Sequence, residues 1–243
     1  MITWVFDVDG VLSNVGVPTA ESFKEWFQSW SKNKSYYLIS GGKRDRIIYQ
    51  IGQRIVDNAI AVYCCMGNSR WYKDTEILVN QFELKKEEID WFYQKIKDSG
   101  CPEKTGWHLD VRPGSLNFSI VGRNANIEQR ERYKEWDKIT NERVNISKEF
   151  QKTFPRFESF VGGETSIDIC LRGANKGQCV DVIRSERNNS PIYFFGDRCF
   201  PGGIDEPFAV KCTDKNDRVY QVIGYTHTWS ILRSMDNIYD INQ

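Results

Sequence analysis

Ile2-Thr3-Trp4-Val5-Phe6-Asp7-Val8-Asp9-Gly10-Val11-Leu12 is the stretch on which the fold turns. Residues 2–6 are almost all apolar, β-branched or aromatic, as expected of a strand buried on both faces of a parallel sheet. The run ends in a carboxylate. Open parallel sheets gather ligands at the carboxyl ends of their strands, so catalytic groups are expected just after each run of this kind. Asp7 and Asp9 lie two positions apart, and side chains at that spacing in extended chain project to the same side. Two carboxylates so placed can share a divalent cation, or divide nucleophilic and acid/base roles between them.

Outward from this stretch, Tyr36-Tyr37-Leu38-Ile39 is a second such run. It ends in Ser40-Gly41-Gly42 and leads into a helical stretch containing Ile47, Ile48, Ile51 and Ile55. Ala59-Ile60-Ala61-Val62-Tyr63 is a third. The same alternation returns late in the chain, with a helix at 176–185 and then Pro191-Ile192-Tyr193-Phe194-Phe195 ending at Gly196-Asp197. Phe208-Ala209-Val210 is the next apolar run, followed by a final helix near 227–236. The middle of the chain has a different pattern: a helix around 85–98, then paired strands at about 105–111 and 115–122 about Arg112-Pro113-Gly114. A charged stretch of helical period runs from Ile127 to Phe154, and strands at about 157–162 and 165–171 flank Gly162-Gly163. The simplest organisation is an α/β core from residues 1–76 and 174–243, with an α+β cap inserted at 77–173.

The strand ends carry suitable chemistry. Ser40 can hydrogen-bond a phosphoryl oxygen, with the amides of Gly41 and Gly42 beside it. Lys176 opens a helix and can neutralise charge on a nucleophile or a phosphate. Asp197, and Asp205 eight residues on, add hard oxygen ligands suited to Mg²⁺. In the cap, Arg112, Arg123 and Arg130 either converge on a phosphate with forked hydrogen bonds or, for Arg130 beside Glu128 and Glu131, form solvated helix pairs.

The chain of 243 residues balances 33 Lys+Arg against 33 Asp+Glu, so no net positive field draws it to nucleic acid or to a membrane. No apolar run approaches the roughly 18 residues needed to span a bilayer. Nothing near Met1 resembles a signal peptide, and a cytoplasmic protein is expected. Seven cysteines, odd in number and without a CxxC pair, argue for reduced and mostly buried thiols over a disulfide framework or a zinc site. His108 and His227 are too isolated to form a metal pair.

Phe6-Asp7-Val8-Asp9-Gly10-Val11-Leu12, Ser40, Lys176 and Gly196-Asp197, in this order, resemble the four-motif signature of the haloacid dehalogenase-like phosphotransferases. The likeness implies a Rossmann-like core in which Asp7 is phosphorylated and Asp9 is the general acid/base. It also implies that Asp7, Asp9, Asp197 and Asp205 surround Mg²⁺, and that Ser40 and Lys176 steady the phosphoryl oxygens. Water as acceptor gives a phosphatase acting on sugar phosphates or nucleotides; a sugar hydroxyl gives a mutase.

Five longer stretches are similar to the eukaryotic-type phosphomannomutases: Ser40-Gly41-Gly42 to Gln50-Ile51-Gly52, Arg112-x-Gly-x-Leu-Asn-x-Ser-x-x-Gly-Arg123, Gly162-Gly163-Glu-Thr-Ser166-Ile-Asp168, Asn175-Lys176-Gly177, and Phe194 through Asp205. That resemblance implies a hexose phosphate substrate interconverted between its 6- and 1-phosphates. Arg112, Arg123 and Arg130 would hold the phosphate that is not being transferred, Ser166 and Asp168 the sugar hydroxyls, and the cap would form a homodimer. Three places depart from the family pattern. The Arg expected shortly after Val11-Leu12-Ser13 is missing, Ile204 stands in Gly202-Gly203-Ile204-Asp205 where an Asn is usual, and Cys65-Met66-Gly67 replaces Glu-Asn-Gly.

Overall fold

The computed structural model describes residues 2–241. Residues 1, 242 and 243, counted above with the core, lie outside them. The chain begins with β1 (Thr3–Asp7), α1 (Glu21–Ser31), β2 (Ser35–Ile39), α2 (Arg44–Ile51), α3 (Gln53–Asn58), β3 (Ala61–Cys64), β4 (Ser69–Tyr72) and β5 (Thr75–Leu78). Next come α4 (Lys86–Asp98), β6 (Leu109–Arg112), β7 (Ser115–Phe118), α5 (Ile127–Thr140), α6 (Glu142–Thr153), β8 (Phe157–Gly162) and β9 (Ser166–Leu171). The last elements are α7 (Gln178–Glu186), β10 (Ile192–Gly196), α8 (Glu206–Ala209), β11 (Arg218–Gln221) and α9 (Tyr225–Ile241).

One sheet has seven strands in the order β11-β10-β1-β2-β3-β4-β5, and the other has four in the order β6-β7-β9-β8. Strands β11 through β3 of the larger sheet are parallel, while β4 and β5 pair antiparallel at its edge. The smaller sheet is antiparallel throughout. This is the expected class, an α/β core sheet and an α+β insertion.

The apolar runs are continuous because both faces of the parallel strands are covered. Trp4 and Phe6 of β1, Tyr36 and Leu38 of β2 and Phe195 of β10 join one cluster with Phe23, Phe27 and Trp30 of α1. The alternate residues Val5, Tyr37, Ile39 and Phe194 join a second cluster with Val180 and Ile183 of α7. The smaller sheet buries Leu116, Phe118, Phe157, Ile167 and Ile169 against Phe92 of α4, Tyr133 of α5 and Phe150 of α6. Rings of Phe92 and Phe118 lie 4.7 Å apart there, within the range of favourable aromatic pairs.

Several expectations needed correction. The isoleucine-bearing helix after Gly42 breaks at Gly52, whose φ of 86° does not continue a right-handed helix. The long charged helix splits at Asn141, which adopts the left-handed conformation and ends α5; Asp137 then takes the amide and guanidinium of Arg143 to start the next turn. Phe208-Ala209-Val210 is not a strand: Phe208 and Ala209 belong to the short helix α8, with the Phe208 ring packed 4.3 Å from that of Phe194. The fifth parallel position of the larger sheet is filled instead by β11, a mostly exposed edge strand. Nor did the periodicity separate β4 and β5, whose last strand carries the core sheet to Leu78. All seven cysteines are free thiols, five of them buried. Among the described residues no helix is long and apolar enough to cross a membrane.

Candidate active site

Asp7 is the last residue of β1, Ser40 follows β2, and Asp197 follows β10, so three carboxyl-terminal strand ends meet at one point. Lys176, just before α7, is 1% exposed and sends its ammonium between two carboxylates, 2.8 Å from Asp7 Oδ1 and 2.6 Å from Asp205 Oδ1. Asp205 Oδ2 accepts from the amides of Asp197 and Arg198, each at 3.1 Å, which ties the loop after β10 to the same point. Close approach sets the sequence here. At Gly10, φ is 77°, and a Cβ would stand 2.5 Å from Asp197 Oδ2.

Burial first, and then the neighbouring charge of Asp205, hold the Asp7 carboxyl well above the usual carboxylate range, although Lys176 acts against them. The same two causes push Asp197 up to about 7, against the pull of Arg198 and Lys176. Burial would lower Lys176, but Asp205 and Asp7 outweigh it and keep the ammonium charged. Oxygens of Asp7, Asp197 and Asp205 lie within 4.8 Å of one another. Three carboxylates around one lysine leave negative charge uncompensated, and the donors are all hard oxygens. The residues therefore fit a Mg²⁺ ion. Asp9 was expected in this set and is not in it: its Oδ1 accepts from the Gly16 amide, Arg46 and Gln50 instead.

The smaller sheet closes over these groups. Arg112 Nε is 2.9 Å from Asp110 Oδ2, and its Nη1 donates to the Gly41 carbonyl at 2.7 Å. Arg123 Nη1 donates to Asn117 Oδ1 at 2.8 Å, and Asn117 Nδ2 to Asp168 Oδ1 at 2.8 Å. Arg198 reaches the carbonyls of Val161 and Gly163 from the core side, at 3.2 and 2.6 Å. Burial and then the like charge of Arg112 lower the pKa of Arg123. Asp7, Asp9, Gly41, Gly42, Arg112, Arg123, Ser166, Asp168, Lys176 and Asp197 all line the resulting cleft.

Three expected residues sit differently. Arg130, in the first turn of α5, donates to the Ala125 carbonyl at 3.2 Å and does not line the cleft. Ser40 is fully buried, and its Oγ accepts the Gly42 amide at 2.9 Å, so that amide is not free for a phosphoryl oxygen. Asp205 lies behind the cleft wall, committed to Lys176 and two amides.

Arg46, Asn117 and Arg198 line the cleft without having been singled out. Asn117 and Arg198 stood inside quoted motifs, flanked by residues of more obvious chemistry. Arg46 likewise lies inside the Ser40 to Gly52 stretch that resembles the family, without a role of its own there. Ile204 and Met66, two of the family departures, belong to one apolar cluster with Phe160, Cys170 and Ala174, which joins the larger sheet's loops to the smaller sheet. His108 hydrogen-bonds the Ser119 carbonyl through Nδ1 at 2.8 Å, and His227 lies on α9; neither lines the cleft.

A parallel sheet with an Asp at its first strand end, a buried Lys, a second acidic strand end and an inserted cover defines a phosphotransferase of the haloacid dehalogenase-like superfamily. The fold is shared with an IMP-bound IMP-nucleotidase of Plasmodium falciparum, at a TM-score of 0.64 and 13% identity over 97% of this chain and 68% of that one. It is also shared with a trehalose-6-phosphate phosphatase related protein, at a TM-score of 0.57 and 15% identity over 99% and 100% of the two chains. Within that superfamily the chain belongs to the eukaryotic phosphomannomutase family, whose model matches residues 23–234. Phosphomannomutase 2 of Dictyostelium discoideum is 30% identical over 84% of this chain and 85% of its own length. Phosphomannomutases of Dendrobium officinale and Arabidopsis thaliana are 29% and 28% identical over 83% of this chain, covering 82% and 84% of the relatives.

Proposed function

We propose that the protein is a Mg²⁺-dependent, phosphomannomutase-like enzyme that interconverts hexose 6-phosphate and hexose 1-phosphate through a phosphorylated Asp7. One observation carries this reading: the acidic strand ends of the core face Arg112 of β6 and Arg123, in the connection between β7 and α5, across a single cleft. A bisphosphorylated sugar needs a site of each kind, one to transfer a phosphoryl group and one to hold the other phosphate.

Asp7, with Oδ1 held by Lys176, attacks phosphorus with its other oxygen. The P–O bond to the sugar breaks, and the leaving oxygen takes a proton from Asp9. In the second half reaction a sugar hydroxyl gives its proton to Asp9 and attacks the phosphoryl group, and the P–O bond to Asp7 breaks. Lys176 and the Ser40 loop steady charge on the transferring group. Mg²⁺, held by Asp7 and Asp197 with Asp205 behind them, would neutralise these carboxylates and draw charge from the phosphoryl oxygens. Arg112 and Arg123 bind the distal phosphate, with Arg130 adding its field from outside the wall, while Ser166 and Asp168 meet sugar hydroxyls.

The cleft encloses about 50 Å³, against the roughly 300–1,000 Å³ of small-molecule pockets, so the cap opens to admit substrate. A homodimer through the cap is supported by Trp107 and Val111, more than half exposed at the edge of the smaller sheet. The reading takes a small-molecule sugar phosphate in the cytoplasm as the partner, and the zero formal net charge gives nucleic acid or a membrane surface no electrostatic draw.

The test is incubation with mannose 1-phosphate, Mg²⁺ and a trace of hexose bisphosphate, following mannose 6-phosphate and free phosphate together. Formation of the 6-phosphate without phosphate release is the expected result. Phosphate alone makes the protein a phosphatase, and the appearance of neither product would refute the proposed activity.

A further inference from the structure

Helix α2 carries two side chains, one turn apart, that end on the same oxygen of Asp9. Arg46 Nη2 donates to Asp9 Oδ1 at 3.1 Å and Gln50 Nε2 at 2.8 Å, and the Gly16 amide adds a third donor at 3.0 Å. Residues four apart on a helix share a face, so this convergence follows from the spacing once α2 lies beside the Asp9 turn. None of the three donors reaches Oδ2. The carboxylate is thus gripped by one edge, and it still lines the cleft with its side chain 22% exposed.

The two helix residues hold it differently. Gln50 is fully buried and also donates to Ser13 Oγ at 2.9 Å, so it belongs to the packed turn that follows Asp9. Arg46 is at the cleft wall, 34% exposed, and its buried Nε has no hydrogen-bond partner. Its side chain runs past two glycines: a Cβ at Gly42 would lie 3.4 Å from Arg46 Cδ, and one at Gly16 would lie 3.3 Å from Nη2. The Ser40-Gly41-Gly42 loop and the Asp9 turn therefore both leave room for this one guanidinium.

We propose that Arg46 is a positioning residue for Asp9: with Gln50 it pins Oδ1 and so aims Oδ2 at the oxygen that leaves or enters during phosphoryl transfer. This rests on Asp9 being the acid/base group. A carboxylate free to rotate spends little time aligned, and misplacement by about 1 Å can cost on the order of 100-fold in rate. Because α2 starts directly after the Ser40 loop, one rigid element sets both the phosphoryl-side loop and the proton donor.

The experiment compares kcat/KM for two esters, since that constant reports the step that phosphorylates Asp7. With phosphate release as the readout, the sugar oxygen of a hexose bisphosphate, the donor that phosphorylates Asp7, needs a proton to leave; the phenolate of p-nitrophenyl phosphate does not. R46M is expected to lower the value for the sugar ester about 10- to 100-fold and to leave the aryl ester little changed. R46K, which keeps a cationic donor, is expected to recover part of the loss. Equal loss on both esters, or no loss on the sugar ester, overturns the proposal. R46Q supplies the same comparison if R46M does not fold by circular dichroism. D9N separates the two layers of inference: if D9N spares the aryl ester while R46M does not, only the positioning role fails. If D9N hits both esters alike, the acid/base reading fails and the positioning role with it.

Discussion

Lys176 sets its ammonium 2.8 Å from Oδ1 of Asp7, a contact between residues 169 positions apart that is 1% and 4% exposed at its two side chains. A second carboxylate, Asp205, takes the same ammonium at 2.6 Å. The pair closes the core by joining its first strand to the helix that resumes it after the inserted cap, and it also holds the proposed nucleophile in place.

Removing that ammonium leaves two buried carboxylates without their partner. K176M should cost about 3–5 kcal/mol of stability, the usual penalty for breaking a buried ion pair from one side. Urea denaturation of the parent and the variant measures it, and a change under 1 kcal/mol would show that the carboxylates are compensated by other means.

The pH dependence of the metal-free protein follows from Asp197, raised to about 7 by burial and by Asp205, and from Asp7, raised in the same direction. A carboxyl raised in the fold binds protons that the unfolded chain releases above about pH 4, so its contribution is complete below that point and lost as pH rises through about 7. Thermal midpoints without metal should fall over that window. Mg²⁺ should raise the midpoint more at about pH 8 than at about pH 5.5, where the carboxyls must first lose protons. A Mg²⁺ effect independent of pH would contradict this.

Arg123 and Arg130 should separate kinetically. Arg123 lines the cleft, whereas Arg130 is turned to the Ala125 carbonyl. Losing a charged hydrogen bond of about 1.5–3 kcal/mol, R123A should weaken hexose phosphate binding by roughly 10- to 150-fold. R130A should have the smaller effect. Steady-state KM values for both variants decide it, and a larger loss for R130A would mean that this side chain swings into the cleft when substrate binds.

Ile204 is 6% exposed and packs in the cluster with Met66 and Phe160. Restoring the residue usual in the family, I204N, places an amide among apolar side chains and should destabilise the fold by about 1–3 kcal/mol. Thermal denaturation checks this; a neutral or stabilising result would mean that the amide finds partners in the loop after β10.

Much of the core was legible because its physics is local. A strand covered on both faces must be apolar at consecutive positions, so β1, β2, β3 and β10 stood out, and the rule that parallel sheets act at their carboxyl ends led directly to Asp7, Ser40 and Asp197. Strand β11 did not stand out, because an exposed edge strand keeps only weak patterning in Arg218-Val219-Tyr220-Gln221. The helix breaks at Gly52 and Asn141 leave no mark in the sequence pattern for a related reason: a single residue at positive φ does not disturb the apolar period on either side.

The amino-acid sequence by itself determined which residues carry chemistry and which strand ends display them, since those depend on residue type and on spacing within one element. Tertiary structure alone decided which of them meet. It set Asp9 apart from the acidic cluster and gave it to Arg46 and Gln50, turned Arg130 out of the cleft wall, and gathered Met66 and Ile204 into one apolar contact between the two sheets. Each of these depends on the direction in which a side chain leaves its element and on what packs opposite it, and both are set by the docking of segments far apart in the chain.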